Sequence, residues 1–244
     1  MAQNNIPVSE YFSGQGNVLL AEIVGGVPQG YRHIGNVPEL KFNIDQSVTE
    51  HKESTSGQRA TDLRLTTETK VSFSITVEDL NIKNLNLVLY GTDTVTPGAS
   101  VTGENVTVRN GFTVNLAHIG VSNVVIAGAT EGTDYSVNSE VGSINFLPGG
   151  ALTDGSVVTV DYDFASQTSV AALTQTRKEY AMRFEGLNTI DGKPVVVDTF
   201  RMTPDPLKEL GLIQDDIASV PLEGSLLYSA QHPENPYYRV TKLS

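Results

Sequence analysis

The chain contains no cysteine. That absence excludes a disulfide framework, thiolate metal sites and a cysteine nucleophile, and it suits assembly in a reducing cytoplasm. Tryptophan is also absent, with 9 tyrosines and 8 phenylalanines among 244 residues, which weighs against an exposed aromatic platform for stacking sugars. No apolar run approaches the ~20 residues that cross a bilayer. The stretch MAQNNIPVSEYFSGQG has no basic segment followed by an apolar one. The expectation is therefore a soluble protein without a secretory signal or a membrane partner. Basic residues are scarce: 16 Lys and Arg stand against 28 Asp and Glu, a formal charge of −12, with no Lys/Arg cluster. Tight duplex binding depends on neutralising phosphates and releasing their counterions. A chain of this balance meets DNA as a repelling surface, or uses its charge only for solubility.

Chemical motifs are equally sparse. His33, His51, His118 and His232 have no H-x-x-x-H or H-E-x-x-H spacing and are expected as surface or loop residues rather than metal ligands. Gly98–Gly103 misses the G-x-S-x-G spacing of a nucleophile elbow by one residue. Gly14–Gly16 lacks the rest of a dinucleotide fingerprint, and no Walker A sequence occurs. Asp161 and Asp163 fall on one strand face, which allows an acid/base pair or a Ca²⁺ site, and more simply the wet face of an edge strand. No cofactor or metal is expected.

What the sequence does contain is alternation. In ELKFNID, Leu40, Phe42 and Ile44 share one face and Lys41, Asn43 and Asp45 the other, the period of a half-buried strand. DLRLTTETKVSFSITVE continues it: Leu63, Leu65, Val71, Phe73, Ile75 and Val77 on one face, Arg64, Glu68 and Lys70 among the residues of the other. Seventeen residues at about 3.3 Å each reach roughly 55 Å, so this strand must bend, break at Thr66–Thr69 or project from its domain. Between the two lies TEHKESTSGQRATD, far longer than the two residues a tight hairpin needs.

Asp79–Gly91 predicts a short helix with Ile82, Leu85, Leu89 and Tyr90 on one face and Gly91 as its stop. Thr92–Thr168 carries short strands and turns, with Asn110-Gly111 as a hairpin signal. A further hairpin turns at Asp191-Gly192. DPLKELG reads as a second short helix capped by Asp205 with Pro206 at its first position. The domain reading is an N-terminal arm with a first strand over 1–37, one β domain over 38–227 and an extended tail over 228–244. The fold class is mainly β: a β-sandwich or open barrel with one or two short flanking helices.

Three runs carry a resemblance. GNVPELKFNIDQSVTEHKESTSGQRATDLRLTTETKVSFSITVEDLNIKNLNLVLYG (Gly35–Gly91), GTDYSVNSEVGSINFLPGGALTDGSVVTVDYDFA (Gly132–Ala165) and RFEGLNTIDGKPVVVDTFRMTPDPLKELGLIQDDIASVPLEGSLL (Arg183–Leu227) resemble the tail tube, or major tail, proteins of long-tailed bacteriophages such as siphoviruses. Thr92–Asn123 is the part that fits least.

The resemblance implies a non-enzymatic structural protein of the virion tail, assembled in the host cytoplasm. Its hexameric rings stack into a tube whose inner strands close into one large barrel. The lumen holds a tape-measure protein and DNA without specific binding, and tail terminator and distal tail proteins meet the tube's ends. On that assumption four inner strands from each of six chains, ~4.8 Å apart and tilted ~40°, give a backbone diameter of about 48 Å. Side chains then leave a bore of roughly 35–40 Å, ample for a duplex. The resemblance makes Glu50, His51, Lys52, Glu53 and Arg59 an expected inter-ring contact loop. It makes Lys41, Asn43, Asp45, Arg64, Glu68 and Lys70 the expected lumen face. Residues 1–37 and 228–244 are expected to reach adjacent subunits. The competing expectation is a soluble β-sandwich binding module of carbohydrate-binding or adhesin type, with a hydrolase using Asp161 and Asp163 behind it.

Overall fold

The computed structural model describes residues 11–213, 215 and 217–243; the arm expected for 1–10 lies outside them. The chain is mainly β and forms two compact units, one built from residues up to Thr92 and from Ala171 onward, the other from Asp93–Val170. The single β domain expected over 38–227 is thus divided by an inserted unit.

The first unit begins with β1 (Gly14–Val24), β2 (Val27–Pro28), β3 (Arg32–His33), β4 (Glu39–Lys52), β5 (Thr61–Val77) and α1 (Ile82–Leu89). The second holds β6 (Thr92–Thr96), β7 (Ala99–Thr107), β8 (Thr113–Asn115), β9 (Val121–Ile126), β10 (Tyr135–Asn138), β11 (Ser143–Phe146), β12 (Val157–Phe164) and β13 (Gln167–Ala171), whose paired strands β6 and β13 carry the chain in and out. The chain then returns through β14 (Tyr180–Asn188), β15 (Pro194–Pro204), β16 (Val220–Leu226) and β17 (Tyr238–Lys242).

One antiparallel sheet runs β2-β1-β14-β15-β16-β5-β4, with β3 on β1 and β17 on β15. Strand β15 is shared along one edge. Its first half pairs with β17, from Val195 opposite Lys242 to Thr199 opposite Tyr238. Its last residues pair with β16, from Met202 opposite Leu226 to Pro204 opposite Gly224. The sheet folds on itself, so that Phe42 of β4 stacks on Tyr238 of β17 with ring centroids 5.1 Å apart. Val18, Leu20 and Met182 from one side meet Phe73, Ile75 and Leu222 from the other in a single core. Gly224 lies opposite Phe73; a Cβ there would stand 2.2 Å from the Thr203 carbonyl and 2.8 Å from the Phe73 ring. Only a residue without a side chain lets that ring lie flat on β16.

Residues 14–24 are not an arm. Strand β1 pairs along its length with β14, and Val18, Leu20 and Ala21 are buried. The tail likewise contributes β17 to the sheet. The hairpin at Asp191-Gly192 forms as expected, with Pro194 opening the second strand.

Helix α1 starts at Asn81, whose side chain accepts from the Asn84 amide. It ends at Tyr90, not Gly91, in the left-handed conformation. Its buried face is Asn84, Leu87 and Val88 rather than the expected Ile82–Leu85–Leu89–Tyr90 face. The helix expected over 205–211 does not form. The Asp205 amide donates to the Glu223 carbonyl and the Leu207 amide to the Val88 carbonyl, so sheet and helix claim the backbone of a segment too short to nucleate a helix alone.

The inserted unit packs two three-stranded sheets, β10-β11-β8 and β7-β12-β9, around Val106, Ile126, Ile144, Phe146, Val160 and Tyr162. Asn110-Gly111 is not a hairpin turn: β7 pairs with β12 while β8 pairs with β11, so it carries the chain from one sheet to the other.

Asn84 is the pin of the first unit. It is 2% exposed, donates to the Ile34 carbonyl at 2.8 Å and the Asp79 carbonyl at 2.6 Å, and accepts from Arg32 Nη1 at 2.7 Å. Asn84→Ala removes three hydrogen bonds at once, and the buried Ile34 carbonyl loses its side-chain donor. Urea unfolding of this variant should show a loss of about 1–3 kcal/mol with an unchanged m-value.

Candidate assembly surface

Strands β4 and β5 make a hairpin longer than the core that supports it. Near its base, Val71, Phe73, Ile75 and Val77 are buried and β16 pairs with β5 from Val71 to Val77. Beyond Val71 that pairing stops. From Asn43 to Lys52 every residue but Val48 is exposed, and from Thr61 to Lys70 every residue but Thr69. Ten residues of β5 therefore extend about 30 Å, with neither face covered and neither outer edge paired among the described residues.

The puzzle of the long loop is largely removed by this ladder. Glu50, His51 and Lys52 belong to β4, and Thr61 and Asp62 to β5, so the connection is Glu53–Ala60. Of the expected contact residues only Glu53 and Arg59 lie in the tip. Arg59 takes a left-handed backbone with φ 53°. Glu53 organises the rest: its carboxylate accepts from the Thr55 amide at 2.8 Å, the Ser56 amide at 2.9 Å, and both hydroxyls.

The register also changes which residues share a face. The ladder slips between Ser47 opposite Glu68 and Val48 opposite Thr66, and Thr67 is the extra residue; its hydroxyl donates to the Ser47 carbonyl at 3.1 Å. A second slip leaves Asp62 extra, its carboxylate 2.6 Å from His51 Nδ1. A single inserted residue exchanges the two faces of everything beyond it. Leu65 opposite Thr49 and Leu63 opposite His51 therefore lie on the face of Glu68 and Lys70, not on that of Phe73. Arg64, opposite Glu50, moves to the other face. The expected lumen set is thus split: Lys41, Asn43, Asp45, Glu68 and Lys70 lie together, and Arg64 does not.

The charges on this surface are balanced. Lys41 pairs with Glu39 at 2.5 Å, Lys70 with Glu68 at 3.3 Å, and Arg64 with Glu50 at 3.9 Å. All are exposed pairs of the kind that contribute about 0–1 kcal/mol. Leu63 and Leu65 are each 58% exposed and Ile44 59%, large apolar side chains on a two-stranded ribbon that nothing among the described residues packs upon. Sequence periodicity assigned the two leucines to the core, and nothing in Thr66-Thr67 signals a bulge.

The other candidate groups are occupied within the fold. Asp161 accepts from the Gly103 amide at 2.7 Å; Asp163 accepts from Asn123 Nδ2 at 2.8 Å and from the Ser100 hydroxyl. Both sit where β12 slips against β7 and β9, and they supply hydrogen bonds where the ladder is irregular. Asn123 and Ser100 hold the Asp163 carboxyl below its ordinary range. His118 stacks on Phe164 and His232 on Phe200, each with ring centroids under 4 Å apart. His33 is hydrogen-bonded to Asn17 and His51 to Asp62. No group of three His, Asp or Glu side chains among the described residues has the geometry to hold a metal.

A family model described as Protein of unknown function UCP028589 matches residues 11–240. The chain belongs to that family. The match takes in both units and the whole hairpin, so the inserted unit falls inside the family's extent. No curated protein matches the chain.

The tip has a pH signature. Hydrogen bonds from Ser56 first, then Thr55, hold the Glu53 carboxyl at about 2 against an ordinary 4.5. A depressed carboxyl contributes order that is present above its ordinary value and lost as pH falls through the depressed one. Carbon-detected NMR titration should place the protonation of Glu53 at about pH 2, below the ordinary 4.5 of a glutamate. At pH 3.5 the Thr55 and Ser56 amides should remain slower to exchange in the native chain than in Glu53→Gln.

Proposed function

We propose that this protein is the tail tube subunit of a long-tailed bacteriophage, a structural virion protein without enzymatic activity. In this reading it is assembled in the host cytoplasm and joins copies of itself into stacked hexameric rings. Genomic DNA passes through the bore, which holds a tape-measure protein before ejection. Tail terminator and distal tail proteins close the two ends.

One observation carries the reading: a hairpin whose outer ten residues have unpaired edges, uncovered faces and exposed leucines. Unpaired strand edges are a template for pairing with another chain, and an isolated two-stranded ribbon is marginal in water. Such an element is economical only where copies of the chain complete it. The part of that face below the slip at Thr67, with Lys41, Asn43, Asp45, Glu68 and Lys70, suits a wall that DNA slides past, and the part beyond the slip, with Leu63 and Leu65, is left to meet another copy. The two cations and two anions of the wall part alternate and leave no continuous basic track for phosphate.

The binding-module reading is weaker. Phe112 is the one exposed aromatic side chain among the described residues of the inserted unit, and Tyr11, Phe12, Tyr31 and Tyr228 are exposed in the first unit without a ring contact among them, whereas a sugar-stacking platform needs a cluster of such rings.

Electron microscopy of the purified protein at high concentration should show rings and tubes. Replacing Glu53–Ala60 by a two-residue Asn-Gly turn should leave circular dichroism and thermal unfolding unchanged and permit rings but not tubes. A shortened variant that still forms tubes would count against the hairpin tip as the stacking contact. Loss of the fold would show that the tip belongs to the subunit's own stability.

A further inference from the structure

The folded sheet of the first unit is filled at one end and open at the other. The register defines rows of side chains on its inner face. Leu20, Met182, Thr199 and Tyr238 form the first row, closed over by Phe42. Val18, Phe184, Val197 and Val240 form the second, and Gly16, Gly186, Val195 and Lys242 the third. The second and third rows line a cleft of about 1040 Å³, bounded on its other side by Leu40 and Phe42. Its apolar floor continues the core outward, yet Val240 is 51% exposed. Two glycines flatten the third row: a Cβ on Gly16 would stand 2.3 Å from the Glu185 carbonyl. Val18 and Val195 at its floor are buried and Phe184 and Val197 half-buried, with Phe12 beside Lys242 at the rim, so that among the described residues the cleft stays open chiefly along Val240.

We infer that this cleft receives Leu63 and Leu65 of a second copy of the chain. The inference rests on the self-assembly reading and names the site at which the hairpin is received. The occupant follows from three features. Leu63 and Leu65 are two residues apart on one face, about 7 Å, the same step that separates the second row of the cleft from the third. The hairpin pair is flanked by Asp62 and Glu68, and the cleft carries two cations, Lys41 and Lys242, against one anion, Glu39. Both surfaces are apolar and exposed in the single chain, and Leu63 and Leu65 do not line their own cleft. Hairpin and cleft are different patches of one unit, so their contact is head-to-tail: every copy gives one hairpin and receives another. Such a contact propagates into a ring or a filament instead of ending at a dimer.

The native chain has no cysteine, which makes a clean test available. Leu65→Cys and Val240→Cys together, both at exposed positions, should give a ladder of disulfide-linked multimers when the assembled protein is oxidised; each substitution alone should give none. Leu63→Asp with Leu65→Asp should raise the critical concentration for assembly at least ~tenfold, a change of about 1.4 kcal/mol, while thermal unfolding of the dispersed chain stays as in the native protein. Tubes that form at the native concentration with both aspartates present overturn the inference and leave the tube reading standing. A raised critical concentration without the ladder places the leucines against another surface and overturns the cleft. A native chain that forms no assembly at any concentration overturns both.

Discussion

A β-ladder extends for as long as two strands supply backbone partners, but a sheet is buried only where something packs upon it. The hairpin of β4 and β5 separates these two requirements. Its ladder runs from Glu39 opposite Thr76 to Lys52 opposite Thr61, whereas the buried alternation ends at Val71. Below that point Phe73 and Ile75 bind the hairpin into a core with Leu222 and Met182. Above it the same strands depend on backbone hydrogen bonds, exposed ion pairs and whatever the surroundings provide. Most of the surface chemistry follows from that mismatch: unpaired edges, solvent-facing leucines, and a tip held together by one carboxylate.

The two slips in the ladder give this extension its sidedness. Thr67 and Asp62 are single extra residues, each hydrogen-bonded back across the hairpin. Together with the exchange of faces, they direct the base of the hairpin inward to its own core and its outer leucines away from it. The open end of the folded sheet is the complementary feature. The open cleft and the protruding apolar strand of the same unit each leave apolar side chains in solvent in the single chain, and in the proposed assembly each would be covered. The inserted unit has a complete core of its own, around Phe146, Ile144 and Val160, and does not share this incompleteness.

The mainly β fold was legible because its strands are half buried. Leu40, Phe42 and Val71–Val77 alternate in sequence because one face of each strand meets a core, and the Asp191-Gly192 hairpin is closed by local turn chemistry. What was not legible was set by partners distant in the chain. The caps around DPLKELG are sound, but the carbonyls of Glu223 and Val88 take the backbone first. Asn110-Gly111 has the residues of a tight turn and connects strands whose partners lie elsewhere. At the candidate site, the length of the hairpin could be read from alternation. Its facing could not, since Thr66-Thr67 bears no glycine or proline to mark a bulge. The cleft was invisible because its rows join Val18, Phe184, Val197 and Val240, residues that only the completed sheet brings side by side.

The central claim is that the outer hairpin is finished by other copies of the chain. Amide hydrogen exchange on dispersed and assembled protein tests it most directly. The account predicts that amides of 43–52 and 61–70 exchange quickly in the dispersed chain, that those of 71–77 are protected in both states, and that assembly slows the outer set by orders of magnitude. Equal protection of the outer hairpin in both states, or tubes in which it stays as exposed as in the free chain, would contradict it.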